Sequence, residues 1–436
     1  MQEVIHHMGR RCRDWDYGAR AIYMITVSLK ERGRPTLAEW PEILGVSAKA
    51  QNLPVAGQAL RLPGNGLFGA SAKTALFSAS AKTALLCASA ETPKVISMPL
   101  TPLGEKVLAC WRRIPEFWPM VELLECQVMP DHFHGLIFVK EALRSAGNGR
   151  DNKKNLGDVI RGFKTGCREV GWEDGYVDNI LFREGQLKRM AEYIRDNPRR
   201  LAEKRANPAL FRRVVDLVVD LPVFWQAPNS RAVSCAAAET PKFKAHFHAI
   251  GNTGLLQWPV MLPVQCSRRD FAYRRERLAT GGWKILRNAA GEPLVEYASP
   301  DFEEKCEDAL DCARKGAVLV SPCISHGERE IARRAHAAGA RVIALRNKGF
   351  APFEKPNGAL FDQCAKGNLL LLAPAAWPYI PGEKPPTRES SLVLNRIAQL
   401  IAGNGDAEIK YNGVVFSDID AKVAEALQPP QEGDAA

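Results

Sequence analysis

The feature that most constrains the fold is an alternation of apolar and amphipathic segments in the C-terminal third of the chain. Three short apolar runs predict strands buried on both faces: AVLVSP (317–322), ARVIAL (340–345) and NLLLLAP (368–374). Segments with helical periodicity alternate with them, over 301–316, 325–339, 358–366 and 391–403. This alternation is typical of a doubly wound parallel sheet, so we expect a Rossmann-like α/β domain here.

The N-terminal part has the pattern of a small antiparallel sheet. Strands are predicted over 20–30, 121–129 and 132–139, with a short extended piece over 175–182. Helices are predicted over 101–114, 156–170 and 184–197. We expect the last helix to end at Pro198, because proline cannot continue a helix without breaking a hydrogen bond. The prediction is an α+β domain, a small antiparallel sheet with helices packed on one face.

A nine-residue unit occurs four times: GASAKTALF, SASAKTALL and CASAETPKV lie within 69–95, and CAAAETPKF lies at 235–243. Nine residues are too few for a solenoid repeat, and the Ala and Ser bias predicts surface insertions at about 47–97 and 227–245. We therefore divide the chain into an α+β domain (1–215) with an insert at 47–97, a linker (216–255) with a further repeat copy, and a Rossmann-like domain (256–436).

Composition narrows the class of protein. The chain has 436 residues, is 46% hydrophobic and lacks an apolar run long enough to span a membrane. Its first residues lack the apolar core of a signal peptide. The 11 cysteines form no CxxC, which argues against a zinc ribbon or a disulfide framework. Reduced thiols favour a cytoplasmic location, and no membrane partner is expected.

The net charge of +10 is locally concentrated. Residues 183–213 carry ten Lys and Arg against four Asp and Glu. Such a stripe is either a solvated helix face or a surface for a phosphate backbone.

The segment MPDHFHGLIFV (129–139) places two histidines on the same side of a predicted strand, because side chains alternate between faces. His132 and His134 could together hold one divalent ion, or they could be two partly exposed strand histidines. On the predicted helix that follows, Tyr193 and Asn197 are four residues apart and share a face. A metal held by both histidines and the Asn197 carboxamide would lie beside the Tyr193 hydroxyl, although packing is the alternative role for the tyrosine.

These residues resemble a known family. The segment VMPDHFHGLIFV is similar to the histidine-hydrophobic-histidine motif of HUH nucleases. Residues 15–205, without the first insert, resemble the single-tyrosine HUH transposases of the REP-associated branch. TPLGEKVLACWRRIP, DVIRGFKTG and AEYIRDNP follow in the order and spacing of that family. Asp131 stands where the family more often has asparagine.

The resemblance implies a function. In that family the histidine pair holds Mg²⁺ or Mn²⁺, and the helix tyrosine cuts single-stranded DNA, leaving a 5′-phosphotyrosine and a free 3′-hydroxyl. It implies that His132 and His134 are metal ligands, that Asn197 is the third ligand and that Tyr193 is the nucleophile, with Tyr176 as the second candidate. The expected partner is single-stranded or hairpin DNA from repeat palindromes, and the protein is expected to be a monomer or a homodimer.

Basic residues near these motifs are candidate phosphate contacts, which would fix position and not sequence. They are Arg161, Lys164, Arg168, Arg183, Lys188, Arg195, Arg199 and Arg200.

The C-terminal domain lacks both GxGxxG and GxxxxGK[ST], so neither nucleotide-binding fingerprint supports a cofactor. Ser325 and Glu328 form a predicted capping box, and the helix start at Ser325 and Gly327 is either a candidate anion site or an ordinary helix terminus. Residues 300–403 weakly resemble the Rossmann-like domain of the DNA-processing protein A family, which binds single-stranded DNA. Pro322 and the run Gly327-Glu328-Arg329 depart from that family's pattern.

The sequence therefore predicts a DNA-cleaving transposase with an appended Rossmann-like domain that binds DNA. Two other functions stay open. One is a domesticated, non-catalytic nucleic-acid-binding protein, and the other is a nucleotide-binding enzyme that acts through its C-terminal domain.

Overall fold

The computed structural model describes residues 15–44, 95–143, 154–182, 185–222, 242–278, 283–288, 291–381, 386–404, 410–411, 414–415 and 419–430. The chain forms two compact units, Met1–Ala202 and Glu203–Ala436. Both mix helices and strands.

Among the described residues, ten α-helices and β-strands begin in the first unit. In chain order they are β1 (Ala21–Ser28), β2 (Glu42–Leu44), β3 (Val95–Ser97), α1 (Pro102–Arg112), α2 (Ile114–Phe117), β4 (Val121–Val128), β5 (His132–Val139), α3 (Leu156–Gly166), β6 (Val177–Ile180) and α4 (Gln186–Ala206). The last four residues of α4 belong to the second unit.

The main sheet of the first unit has the strand order β4-β5-β1-β6, and every neighbouring pair is antiparallel. Together with α1 and α3, the strands follow the βαββαβ chain order of the ferredoxin-like motif. The register pairs Thr26 of β1 with His134 of β5, and Ser28 with His132. The predicted small antiparallel sheet is therefore confirmed.

Helices α1 and α3 cover one face of this sheet. Phe133 of β5 is fully buried there, with its ring centroid 4.7 Å from that of Trp111 and 5.4 Å from that of Phe163. Thr101 caps the start of α1, and Asn155 with Asp158 forms a capping box at the start of α3. These helices form where their apolar faces can be buried against the strands.

Helix α4 covers the opposite face, so the prediction that helices pack on only one face is wrong. Ile194 of α4 packs against Met24 of β1 and Leu136 of β5, which alternate with the residues that face α1 and α3.

The predicted end of this helix at Pro198 is also wrong, because α4 continues to Ala206. A proline inside a helix costs about 3 kcal/mol. Asp196 offsets part of this cost, since its carboxylate accepts hydrogen bonds from Arg199 (2.6 and 2.8 Å) and Arg200 (2.6 Å), on the far side of the proline.

Strands β2 and β3 flank most of the first predicted insert. They pair antiparallel, with Leu44 opposite Val95. The three repeat copies of this insert lie outside the described residues, apart from the last residue of the third copy, and so does the copy at 235–243 apart from its last two residues.

The second unit contains α5 (Pro208–Phe211), β7 (Val214–Pro222), β8 (Lys242–Gly251), β9 (Met261–Pro263), β10 (Phe271–Tyr273), β11 (Arg275–Arg277), β12 (Trp283–Ile285), β13 (Val295–Ala298), α6 (Pro300–Arg314), β14 (Val318–Ser321), α7 (His326–Ala337), β15 (Val342–Leu345), α8 (Gly358–Ala365), β16 (Leu369–Pro374), α9 (Arg388–Ile401), β17 (Lys410–Tyr411), β18 (Val414–Val415) and α10 (Ile419–Ala426).

The large sheet of this unit has the order β7-β8-β16-β15-β14-β9. Strands β9, β14, β15 and β16 are parallel, whereas β8 and β7 are antiparallel to their neighbours. The α/β prediction is confirmed in outline. The sheet, however, is mixed, and its four parallel strands lie side by side in their chain order, without the reversal of strand order that defines a doubly wound fold. The stretch 216–255, predicted as a linker, supplies most of β7 and all of β8.

Helices cover both faces of this sheet. Phe302 of α6, Ile331 of α7 and Phe361 of α8 are buried on one face, and Leu394 of α9 and Val423 of α10 on the other. Within the described residues, no helix is both long and apolar enough to cross a membrane.

Candidate functional site

The two predicted metal ligands lie on the α4 face of the first sheet, at the start of β5. His134 is 6% exposed, while His132 is partly exposed. The residue after them is glycine for a packing reason: a Cβ at Gly135 would lie 2.3 Å from a ring carbon of Trp111. One face of this strand therefore carries the two histidines, and the other face packs closely against α1.

The imidazoles form a chain of polar contacts. The His132 Nδ1–H donates to the Asp131 carboxylate at 2.6 Å, and the two Nε2 atoms of His132 and His134 are 3.1 Å apart. On the other side, His134 Nδ1 is 2.8 Å from the Thr26 hydroxyl oxygen. Two nitrogen lone pairs at this distance repel each other, so a proton or a cation must lie between the two Nε2 atoms.

Burial controls the charge of this chain. Desolvation, and then the neighbouring His132, lowers the pKa of His134 to about 3, so its imidazole stays neutral and keeps a lone pair. The hydrogen bond from His132 lowers the pKa of Asp131 to about 2, against the effect of burial and with help from the backbone N–H of Gly33. The carboxylate is thus ionised and fixes the orientation of His132.

Helix α4 brings the predicted nucleophile to the same place. The ring centroid of Tyr193 is 6.0 Å from that of His134, at an interplanar angle of 66°. The tyrosine is 37% exposed, so its hydroxyl can reach a ligand. The packing of Ile194 against Leu136 holds this part of α4 on the histidine face.

Asn197 lies one helical turn beyond Tyr193 and three residues after the buried Ile194, so it follows the side of α4 that meets the sheet. Its Nδ2 atom is buried and has no hydrogen-bond partner within the described part of the chain. If the amide is turned over, the acceptor oxygen of Asn197 takes this buried position.

The residues fit a divalent ion in part. Donors about 2.1 Å from an octahedral ion stand about 3.0 Å apart, which is close to the 3.1 Å between the Nε2 atoms of His132 and His134. Among the described residues, however, no three His, Cys, Asp or Glu side chains converge on a metal position. A site here would need the amide of Asn197 or solvent to complete it, and Mg²⁺ or Mn²⁺ stays a prediction.

The second tyrosine candidate lies elsewhere. Tyr176 packs against the core between the sheet and helices α1 and α3. Its side chain therefore lies on the face opposite the histidine pair. Of the two candidate tyrosines, Tyr193 is the one that the fold brings to the imidazoles.

Three of the predicted phosphate contacts on α4 already have carboxylate partners. Arg195 pairs with Glu125 of β4 at 2.9 Å and ties the helix to the sheet. Arg199 and Arg200 both pair with Asp196.

The guanidinium of Arg200 also lies 5.9 Å from the ring centroid of Tyr193. Lys188 is exposed, and Arg183 lies outside the described residues. The α4 arginines therefore have structural contacts that the sequence did not indicate.

The other three predicted contacts lie together on α3 and on the short turn that follows it. Arg161, Lys164 and Arg168 line one cavity of about 560 Å³ with Lys30 and Tyr176. Arg161 and Arg168 are exposed, but the Lys164 ammonium donates to the backbone carbonyls of Glu173 (2.5 Å) and Gly175 (2.9 Å).

Burial lowers the pKa of Lys164, and its contacts favour a role in shaping the 173–175 turn. As phosphate contacts, all three residues stay predictions.

The candidate anion site at α7 has the contacts of an ordinary helix start. The Ser325 hydroxyl accepts from the Glu328 N–H at 3.1 Å, and the Glu328 carboxylate accepts from the N–H groups of Ser325 (3.0 Å) and Ile324 (2.7 Å). A Cβ at Gly327 would lie 2.3 Å from the Cys266 sulfur, so this glycine allows close packing. Anion binding at this site stays a prediction, and the contacts favour an ordinary helix terminus.

Sequence reasoning missed Thr26 and Glu125 and gave Asp131 too little weight. Their roles depend on which strand lies beside β5, which the chain order alone does not reveal. The signal for Asp131 was its position directly before the first histidine, where its carboxylate can reach Nδ1.

Comparisons with known proteins add little. No protein-family model matches this chain. An uncharacterized protein of Haemophilus influenzae is 29% identical over 122 residues, covering 23% of this chain and 68% of that protein. A solved structure of a REP-associated tyrosine transposase bound to a REP hairpin aligns with 43% of this chain and 72% of its own, at 11% identity and a TM-score of 0.22. A likeness this low is weak and does not establish a shared fold.

Proposed function

We propose that the first unit is a metal-dependent, single-stranded DNA endonuclease of the transposase type that forms a 5′-phosphotyrosine intermediate. The observation that carries the proposal is the meeting of β5 and α4 on one face of the sheet, where the rings of His134 and Tyr193 are 6.0 Å apart. Two facing histidines, of which burial keeps His134 neutral, beside a partly exposed tyrosine are a chemical arrangement suited to phosphoryl transfer.

The residues of the chain would divide the work. Asp131 and Thr26 orient the imidazoles of His132 and His134, whose Nε2 atoms face each other. A divalent ion bound there, with Asn197 as the third ligand, would polarise the scissile phosphate. Of the two predicted ions, Mn²⁺ suits imidazole nitrogen better, because Mg²⁺ prefers oxygen ligands.

Tyr193 would be the nucleophile. Its phenolic oxygen forms the bond to phosphorus and loses its proton, while the P–O3′ bond breaks and the departing 3′ oxygen takes up a proton. The DNA is then joined to the enzyme through its 5′ phosphate, and the 3′-hydroxyl is free for the reverse transfer. Placement on a helix anchored by Ile194 and by the Arg195–Glu125 pair favours the aligned attack that this step needs.

The proposed substrate is single-stranded or hairpin DNA from repeat palindromes. Arg161, Arg168 and Lys188 are exposed and could contact phosphates, which would position the strand without reading its sequence.

The test is to incubate the full chain with Mn²⁺ and a labelled single-stranded hairpin, and to look for a covalent adduct in a denaturing gel. Tyr193→Phe removes only the hydroxyl and should abolish the adduct. Tyr176→Phe is the matched control and should retain it. An adduct formed by Tyr193→Phe but not by Tyr176→Phe would reverse the assignment, and cleavage without any adduct would make water the nucleophile.

A non-catalytic nucleic-acid-binding protein is the second candidate. It is favoured by one observation, that no three His, Cys, Asp or Glu side chains of the described residues converge on a metal position. The same assay separates the two, since this alternative expects hairpin binding that persists in EDTA and no adduct with Mn²⁺.

A further inference from the structure

A segment of the second unit carries many more basic than acidic residues. Residues 268–287 contain seven Lys and Arg against two Asp and Glu. Within the described part of the chain, none of the seven forms an ion pair with a carboxylate, and Asp270 itself is taken by Lys305 of α6 at 3.0 Å. We call residues 268–278, 283–288 and 291–298, which include β10 to β13, the basic meander.

The basic meander differs from the stripe on α4 that the sequence singled out. On α4, Arg195, Arg199 and Arg200 are paired with Glu125 and Asp196. A phosphate that bound those arginines would have to compete with the carboxylates. Among the described residues of the basic meander, no arginine or lysine is in an ion pair with a carboxylate, so a polyanion would not have to displace one there.

One face of the basic meander combines this charge with an exposed aromatic ring. Strands β11 and β12 pair antiparallel, with Arg277 opposite Trp283 and Arg275 opposite Ile285. Directly opposed side chains lie on the same face, so Arg275, Arg277 and Trp283 share one face. The Arg275 guanidinium lies 4.7 Å from the Trp283 ring centroid.

Trp283 is 59% exposed, and Tyr297 on β13 is 52% exposed. Tryptophan is usually well buried, so an exposed ring beside arginines is a candidate stacking surface for a planar ligand.

The electrostatic environment at the start of α7 also reflects the positive charge of the basic meander. The pKa of His326, the first residue of α7, is lowered by burial and then by the charges of Arg329, Arg275 and Arg268, with Glu296 acting in the opposite direction. Arginines from the basic meander therefore act on the same small region as a helix N-terminus, which is itself positive.

We propose that this face of the basic meander binds single-stranded DNA, with a base stacked on Trp283 and phosphates held by Arg275 and Arg277. Basic side chains beside exposed aromatic rings are the combination by which proteins bind single strands without sequence preference. Paired bases in a duplex are already stacked on each other, and acidic side chains carry no aromatic base to stack on the ring, so neither ligand uses Trp283 equally well. The proposal deepens the proposed function and rests on it only for the choice of DNA.

The experiment measures the anisotropy of a labelled oligothymidylate with the full chain in EDTA, so that no cleavage step contributes. Trp283→Ala should weaken binding about tenfold, since stacking on one aromatic ring is worth about 1 to 3 kcal/mol. Arg275→Ala and Arg277→Ala should each reduce the slope of log affinity against log salt by about 0.7.

Two matched controls separate this surface from general loss of charge or of aromatic area. Arg314→Ala on α6 removes an exposed arginine that is paired with Glu307, and should leave binding unchanged. Phe117→Ala removes an aromatic ring that is 67% exposed beneath Arg113, and should also have no effect. Thermal melting of all variants checks that each one is folded.

A photoreactive thymine in the oligonucleotide gives a second readout, since the cross-linked peptide should contain Trp283. Unchanged binding in Trp283→Ala and in the Arg275→Ala/Arg277→Ala double variant would overturn the proposal. Equal competition by polyglutamate would overturn it in favour of an acidic protein, and tighter binding of the matching RNA would overturn it in favour of RNA. A protein that never forms an adduct but loses oligothymidylate binding with Trp283→Ala would refute the nuclease and leave this surface standing.

Discussion

The tripeptide His-Phe-His occurs twice, in β5 of the first unit and in β8 of the second. In both strands the phenylalanine is fully buried, and the two histidines share the other face. In β5 the histidines face each other and a tyrosine. In β8, His248 is only 2% exposed, and His246 is hydrogen-bonded to the Asp216 carboxylate at 2.5 Å.

The two faces differ in what covers them. The β5 histidines lie at the strand end, beside a helix that leaves Tyr193 partly exposed. The β8 histidines lie on the same face of the second unit's large sheet as Ile250, which packs in the hydrophobic core on that face. The residues that alternate with them pack in the core on the opposite face. Two histidines two residues apart on a strand therefore do not by themselves form a ligand site. The helix or strand that packs over them decides whether they can contact a ligand.

The largest expected effect compares the pairs directly. His132→Ala and His134→Ala should each abolish the covalent adduct, because each removes one of the two facing nitrogens. His246→Ala should leave adduct formation unchanged. Adduct yields from denaturing gels at matched protein concentration measure this effect. Full activity of the His132→Ala/His134→Ala double variant would contradict the proposal that these histidines bind a metal.

Stability should show the reverse order. His248→Ala should lower the free energy of unfolding by about 2 kcal/mol or more, because it opens a cavity at a fully enclosed position. His132→Ala, at a partly exposed strand end, should cost less than about 1 kcal/mol. Urea unfolding followed by circular dichroism gives both values, and equal losses would show that the two pairs are equally structural.

A smaller effect tests the orienting carboxylate. Asp131→Asn keeps an acceptor for His132 but loses the charge, and should weaken Mn²⁺ binding about tenfold, the low end for residues that support a metal ligand. Asp131→Ala should weaken it further. Titration calorimetry with Mn²⁺ measures the affinity, and wild-type affinity in both variants would mean that Asp131 does not act through His132.

A pH-dependent effect extends the comparison to a histidine with a purely structural environment. Burial lowers the pKa of His336 on α7 to about 4, whereas an unfolded chain would have the ordinary value of 6.5. Between these values the unfolded state binds the proton first, so stability falls as pH falls, by about 1.4 kcal/mol per unit of pKa difference at most. His336→Gln should show a weaker loss of stability between pH 6.5 and 4 than the wild type, and an identical pH profile would contradict the assignment.

Local patterns predicted β5 and α1 well, because each buries a regular apolar face that the sequence displays directly. The end of α4 could not be predicted, since the cost of Pro198 is offset by the pairs that Asp196 makes beyond it. Strand β8 was missed because a repeat copy overlaps its first residues and suggested an insertion. In the candidate site, His132, His134 and Tyr193 could be named from their spacing, whereas the roles of Thr26 and Glu125 depend on strand order and packing.

The two ladders that flank the repeat-bearing inserts have a consequence for the length of those inserts. Leu44 pairs with Val95, and Pro222 pairs with Lys242, so the residues on either side of 45–94 and of 223–241 are held together at one end of an antiparallel ladder. The entropy of closing such a loop grows only logarithmically, by about 0.6 kcal/mol for each doubling of its length. We therefore expect that adding or removing whole nine-residue units between these paired ends would change the stability of the folded units little.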